Sequence, residues 1–147
     1  YEDLATTPRL LLYAKKIEYM NKPLYYYRQR EKSIMHTIDN KIYNIYSVLD
    51  IIYDYYKDTK NFKKYKSEIE KLYIYNCFFI VNTLSKSDVK NKVQHQKQAI
   101  KFLKEKFPNW KDNIYLKKEN KKTQLHISIL KYDKMLYIYN LLRGIKK

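Results

Sequence analysis

The chain has 147 residues, 45% of them hydrophobic, with one Gly, three Pro, one Cys and a formal net charge of +16. This length and apolar content allow one packed domain or the tail of a larger protein and argue against a wholly disordered chain, while the scarcity of turn residues argues against a β-sandwich or barrel. The sequence contains no run of eighteen apolar residues, the length that a membrane-spanning helix needs. The lone Cys77 excludes a disulfide framework and a multi-cysteine zinc site.

The opening residues predict a helix followed by a short β-hairpin. The helix begins near the acids Glu2 and Asp3, which suit the positive end of a helix dipole, and continues through a run of leucines. Two β-prone runs, 17–20 and 24–28, then flank an Asn-Lys-Pro turn. The sequence opens at Tyr1 and no signal peptide precedes it, so we expect a piece of a longer protein. The single Cys77 is compatible with a reducing, cytosolic location.

The apolar period becomes helical from Thr37 onward. One stripe runs from Ile38 to Tyr56, and further helices are predicted at about 61–85, 88–107 and 123–143. Each stripe is one-sided, so these helices must pack on one another as a small bundle. The side chains predicted to face inward are Ile38, Ile42, Ile45, Leu49, Ile52, Tyr53, Tyr56, Phe62, Tyr65, Ile69, Leu72, Tyr73, Phe79, Ile80, Val89, Val93, Ile100, Leu103, Phe107, Leu125, Ile129, Tyr132, Leu136 and Tyr139.

Half of the net charge lies in the stretch 86–122, which holds twelve Lys and four acids. Such a surface is compatible with nucleic acid or an anionic membrane as the partner. Only four of the 31 basic residues are Arg, the side chain that phosphates and base edges usually select, which disfavours nucleic acid. AT-rich codons also encode Lys, Tyr, Ile and Asn, so genome composition alone would explain the excess of Lys, and both explanations stay open.

Several lysines of this stretch share one side of the predicted third helix, which predicts salt-sensitive binding to anionic lipid. Trp110, flanked by lysines, is either an interfacial anchor or a residue that caps the bundle. His95 and His126 fall in helical stretches with no acidic or His residue nearby in the sequence and are interpreted as surface or packing residues. The lysines in question are Lys90, Lys97, Lys101 and Lys104.

A more specific pattern occupies the first quarter of the chain. A leucine-rich helix opens on an acidic pair, and a basic, aromatic segment follows it. In order, the residues are Glu2-Asp3-Leu4, Ala14-Lys15-Lys16-Ile17 and Pro23-Leu24-Tyr25-x-Tyr27-Arg28-x-Arg30-x-x-Ser33-Ile34. This series resembles the end of the catalytic region of bacterial family 2 glycosyltransferases, which are inverting nucleotide-sugar enzymes with a GT-A fold.

The resemblance implies a mainly α chain in two parts. Residues 1–37 would be the last helix and a short β-hairpin of a truncated GT-A α/β domain, and 38–147 an α-helical C-terminal domain. The full-length enzyme would transfer a sugar from a nucleotide-sugar donor, with inversion, to a surface-polysaccharide or lipid-linked acceptor, in the cytoplasm or at the inner face of the cell membrane. The donor-binding strands and the Asp-x-Asp motif are not in this sequence, so these residues alone should be inactive and should hold no metal.

The resemblance also implies roles for five side chains. Asp3 would be the catalytic base that takes the acceptor hydroxyl proton, and Glu2 would position Asp3 or an acceptor hydroxyl. Arg28 and Arg30, two apart on a strand, would bind the diphosphate of the substrate, although ordinary surface charge or an ion pair with Glu18 or Glu31 explains them equally well. His36 would be one ligand of the Mn²⁺ or Mg²⁺ ion that the full-length enzyme uses.

Two interpretations from other classes of protein remain open. The chain could be a non-catalytic basic helical module that binds nucleic acid, with bases stacking on its aromatic side chains. It could also be an architectural helical domain that mediates oligomerisation. The reading frame upstream of Tyr1 separates the enzyme from the first alternative, and light scattering tests the second.

Overall fold

A computed structural model describes residues 1–26 and 40–144, and within those residues the protein is mainly helical and has no β-strand. Four single 3₁₀ turns connect or extend the α-helices, at Asn40–Tyr43, Trp110–Asp112, Ser128–Lys131 and Asp133–Met135. The α-helices are α1 (Glu2–Leu11), α2 (Asn44–Asp58), α3 (Phe62–Ser85), α4 (Lys92–Lys106), α5 (Ile114–Lys118), α6 (Lys121–Ile127) and α7 (Leu136–Gly144).

The longest helix, α3, is the centre of the bundle and contacts α2, α4, α5, α6 and α7. Its apolar side chains are spread around much of its circumference, as is usual for a helix surrounded by neighbours. The inward stripes predicted for α2, α3 and α4 are confirmed, because their described side chains are either buried or, like Tyr53 and Val93, partly buried against the core. Ile38 lies outside the described residues. The buried ones are Ile42, Ile45, Leu49, Ile52, Tyr56, Ile69, Tyr73, Ile80, Ile100, Leu103 and Phe107.

Aromatic rings join α2, α3 and α4 in the core. The ring of Tyr73 stacks on Phe102 with 5.3 Å between centroids and meets Phe107 edge-on at 5.0 Å. Tyr46 of α2 lies 4.7 Å from the ring of Phe102. Such pairs add to the free energy that burial of the rings contributes. Core packing therefore accounts for several of the many tyrosines in this chain, as the stripes predict.

The helix predicted at 88–107 begins later than expected. Asn91 adopts a left-handed conformation with φ of 58°, so α4 starts at Lys92 and Lys90 lies in the preceding turn. Asn is among the residues that tolerate this conformation. At the other end the prediction is confirmed, because α4 ends at Lys106, just before Pro108.

The single helix predicted at 123–143 is wrong, because α6, two 3₁₀ turns and α7 occupy that stretch. Ile127 and Ile129 would lie about 200° apart around one continuous α-helix. Both are buried, and the chain leaves the α-helical path between them, because α6 ends at Ile127 and a 3₁₀ turn begins at Ser128. As a result Leu125 and Tyr132, predicted to face inward, are exposed.

The predicted β-hairpin is not seen in the described residues. Runs 17–20 and 24–26 are exposed and have no strand pairing, and the end of the second run, 27–28, lies outside the described residues. A two-stranded hairpin on its own is at best marginally stable in water. The rest of a sheet would be needed to hold these runs as strands.

Candidate functional site

The acidic pair lies in the first turn of α1, as predicted. Glu2 and Asp3 are both exposed, so a ligand could reach either carboxylate. A hydrogen bond from its own backbone N–H holds the pKa of Glu2 below its usual value. Glu2 is therefore ionised at neutral pH.

Packing of α1 on α2 fixes the position of the acidic pair. The hydroxyl of Tyr56 donates a 2.7 Å hydrogen bond to the carbonyl of Pro8. That carbonyl is available because the N–H of Leu12 bonds at 3.3 Å to Arg9 instead, where the helix tightens at its end. Since Tyr56 is buried in the bundle, this bond ties α1 to the core.

A second set of contacts joins the same two helices at the surface. The guanidinium of Arg9 lies 5.7 Å from the ring centroid of Tyr55, within cation–π range. Its Nε donates to the carbonyl of Ala5 at 2.6 Å, and the hydroxyls of Tyr13 and Tyr55 share a hydrogen bond. The orientation of α1 is thus set by its contacts with α2.

The remaining predicted site residues, Arg28, Arg30 and His36, lie outside the described residues. Among residues 1–26 and 40–144, no group of three or more His, Cys, Asp or Glu side chains could hold a metal ion. His95 stacks on Tyr43 with 5.1 Å between the ring centroids, which confirms the packing role predicted for it. The role of His36 as a metal ligand stays a prediction.

The predicted lysine face is present on α4 in part. Lys97, Lys101 and Lys104 are exposed and line one open groove of about 320 Å³, which also includes Asp133. Lys90 is not on the helix. An ion pair of 3.6 Å between Lys101 and Glu105 partly balances the charge of the groove. Membrane binding by this face stays a prediction.

Trp110 is fully buried, so its predicted role as an interfacial anchor is wrong. It opens the 3₁₀ turn Trp110–Asp112 that follows Pro108, and its backbone N–H donates to the carbonyl of Phe107 at 3.2 Å. Because the chain turns back at Pro108, the indole faces the core. The alternative role, a residue that closes one end of the bundle, fits this position.

Two buried polar pairs were missed from the sequence. The side-chain amides of Gln96 and Asn140 bond to each other twice, at 2.8 and 2.9 Å, and Gln96 also donates to the carbonyl of Val81 at 2.9 Å. Asn113 donates to Glu70 Oε2 at 2.7 Å. The burial of Gln96 could have been predicted, since it lies four residues before the inward Ile100 and so on the buried face of its helix.

Comparisons with protein-family models, with curated proteins and with solved structures found no match. Within residues 1–26 and 40–144, no helix combines the length and apolarity that crossing a bilayer requires. The resemblance to glycosyltransferases therefore depends on the residues from Glu2 to Ile34 alone.

Proposed function

We propose that this chain is the C-terminal part of a bacterial family 2 glycosyltransferase with an inverting GT-A catalytic domain. The observation that carries the proposal is the ordered series from Glu2 to Ile34. The complete enzyme transfers a sugar from a nucleotide donor to a surface-polysaccharide or lipid-linked acceptor at the cytoplasmic side of the membrane. In it, residues 17–28 pair as a hairpin at the edge of the catalytic sheet.

Exposed apolar side chains near the N-terminus support this assignment. The segment 10–26 contributes many large apolar side chains to the surface, far more than scattered exposure on a typical protein would give. A catalytic sheet packed against this segment would remove them from water. The side chains concerned are Leu10, Leu11, Tyr13, Ile17, Tyr19, Met20, Leu24, Tyr25 and Tyr26.

The proposed chemistry needs a base at the acceptor. The acceptor hydroxyl oxygen attacks the anomeric carbon, the bond from that carbon to the diphosphate breaks, and the hydroxyl proton passes to Asp3. The exposed carboxylate of Asp3 at the start of α1 is open to an acceptor, and the ionised Glu2 can accept a second hydroxyl.

The leaving group needs positive charge. Arg28 and Arg30 would donate hydrogen bonds to the diphosphate as negative charge develops there. A Mn²⁺ or Mg²⁺ ion would neutralise part of the same charge. His36 would supply one ligand for that ion, and the remaining ligands would come from the upstream part of the enzyme.

The decisive substitution is Asp3→Asn in the complete enzyme. We expect turnover to fall by about two orders of magnitude or more, because Asn keeps the shape of the side chain and cannot take the proton. The measurement is the rate of sugar transfer, with donor binding measured separately and expected to change little.

The matched control is Asp58→Asn, which removes an exposed carboxylate at the end of α2 and should leave turnover unchanged. Wild-type turnover in the Asp3→Asn enzyme would exclude Asp3 as the base. A reading frame upstream of Tyr1 without hydrophobic strands and an Asp-x-Asp motif would exclude the glycosyltransferase itself.

A further inference from the structure

The last helix, α7, turns its apolar side toward solvent. Tyr137, Ile138, Leu141 and Leu142 are each more than half exposed. At 100° per residue they span an arc of about 140° on one side of the helix. We call these four side chains the outer face of α7. Tyr132 and Met135, just before the helix, are exposed as well and extend the apolar surface.

The opposite side of α7 is largely polar and faces the bundle. Asn140 makes its two amide hydrogen bonds with Gln96 there. Tyr139 and Arg143 both donate to Oδ1 of Asn82 on α3. Leu136 is the one fully buried apolar side chain of the helix. A helix that only covered a bundle would be arranged the other way round, so its outer face is expected to have a partner of its own.

The surroundings of α7 are basic. From Lys131 to the last residue the sequence has five basic side chains and one acid, Asp133, and of the five Arg143 faces the bundle. Two of the five, Lys146 and Lys147, lie outside the described residues. Asp133 also borders the groove that three lysines of α4 line, so more positive charge lies beside the start of α7. A partner of the outer face must therefore combine an apolar interior with a negative rim.

We propose that the outer face of α7 inserts into the interfacial region of an anionic lipid bilayer, with the neighbouring lysines at the headgroups. Large apolar side chains, a tyrosine and flanking lysines are the composition that holds helices in this plane. A second copy of the chain fits less well, because it would bring the same positive charges together. The proposal does not depend on the glycosyltransferase assignment.

The test is co-sedimentation of the full 147-residue chain with vesicles. One preparation contains phosphatidylglycerol and phosphatidylcholine in equal parts, and the other contains phosphatidylcholine alone. We expect binding to the first, weakened by added salt, and partitioning at least about ten-fold weaker to the second. The double variant Ile138→Gln with Leu141→Gln should lower partitioning to anionic vesicles by about ten-fold or more.

The matched control is Ile114→Gln with Leu125→Gln, which removes an equally exposed Ile and Leu from α5 and α6 and should bind as wild type. Circular dichroism checks that both variants stay helical. Unchanged binding of the α7 variant, equal binding to both lipids or no binding to either would overturn the proposal. So would a dimer in light scattering that the α7 variant abolishes, since the face would then bind a second copy.

Discussion

Cys77 is the one thiol of the chain, and it lies inside α3 with no exposed surface. Burial raises the pKa of this thiol to about 12, because the apolar core disfavours the thiolate. Its position among apolar side chains makes it a small hydrophobic residue of the core. Reactivity needs both an accessible sulfur and a thiolate, and Cys77 has neither at neutral pH.

We therefore expect Cys77 to resist a thiol-specific disulfide reagent in the folded protein and to react fully in concentrated urea. The measurement is the amount of chromophore that the reagent releases over time at neutral pH. Release in the absence of urea at the rate seen in urea would show that α3 is not packed as described.

At the scale of elements, α7 is held by hydrogen bonds more than by apolar contact. Substitution of Asn140 by Ala would leave Oε1 of the buried Gln96 amide without its donor, so Asn140→Ala should lower the free energy of unfolding by about 1–3 kcal/mol in urea titrations. Asn109→Ala, at an exposed Asn, should change it little. Replacing Gln96 and Asn140 together by Leu should restore part of the loss, since neither buried side-chain amide would remain.

The helices also show how far the sequence could predict this fold. Stripes such as Ile45, Leu49 and Ile52 in α2 predict a helix because apolar residues on one side of a helix recur at a strict period, and similar stripes predict α3 and α4. The segment after residue 121 also looks periodic, but it is divided into short pieces, and both Ile127 and Ile129 are buried. Period alone cannot show such breaks, because they depend on what the neighbouring helices leave open for the chain to fill.

The sequence predicts where the acidic pair lies on its helix but not the contacts that orient that helix. An acidic pair before a leucine run predicts carboxylates in the first turn of a helix, and Glu2 and Asp3 lie there. The contacts that orient this helix join residues some 40 to 50 positions apart, as in the bond from Tyr56 to Pro8. No local pattern contains such pairs, so only the folded chain can reveal them.

At the scale of the whole molecule, a rising pH changes the stability of the fold in two opposite ways, through the lysines at the surface and through the buried tyrosine and cysteine side chains of the core. Lysines lose charge as the pH rises toward their ordinary pKa, which relieves repulsion within a chain of net charge +16. That repulsion acts between exposed groups and is screened by salt. Ionisation of a buried side chain is not screened in this way, so at moderate salt we expect the core to dominate.

Burial, followed by the neighbouring Cys77, raises the pKa of Tyr46 above its usual value, and burial does the same for Tyr73 and for Cys77 itself. In the unfolded chain Cys77 ionises near pH 9 and the two tyrosines near pH 10. The contribution of Cys77 to stability is therefore complete below about pH 9 and that of each tyrosine below about pH 10, and each contribution is lost as the pH rises further. Above its own unfolded pKa, each group should lower the free energy of unfolding by about 1.4 kcal/mol for every pH unit.

We expect urea titrations at moderate salt to show this decline between about pH 9 and pH 11. Tyr46→Phe should make the decline shallower above about pH 10. Because the Tyr46 hydroxyl has no hydrogen-bond partner among the described residues, the variant loses no such bond there. The control, Tyr137→Phe, removes an exposed hydroxyl and should keep the wild-type slope. A free energy of unfolding that stays constant or rises over this range would mean that relief of surface repulsion outweighs the core, and that the net charge limits the stability of the fold.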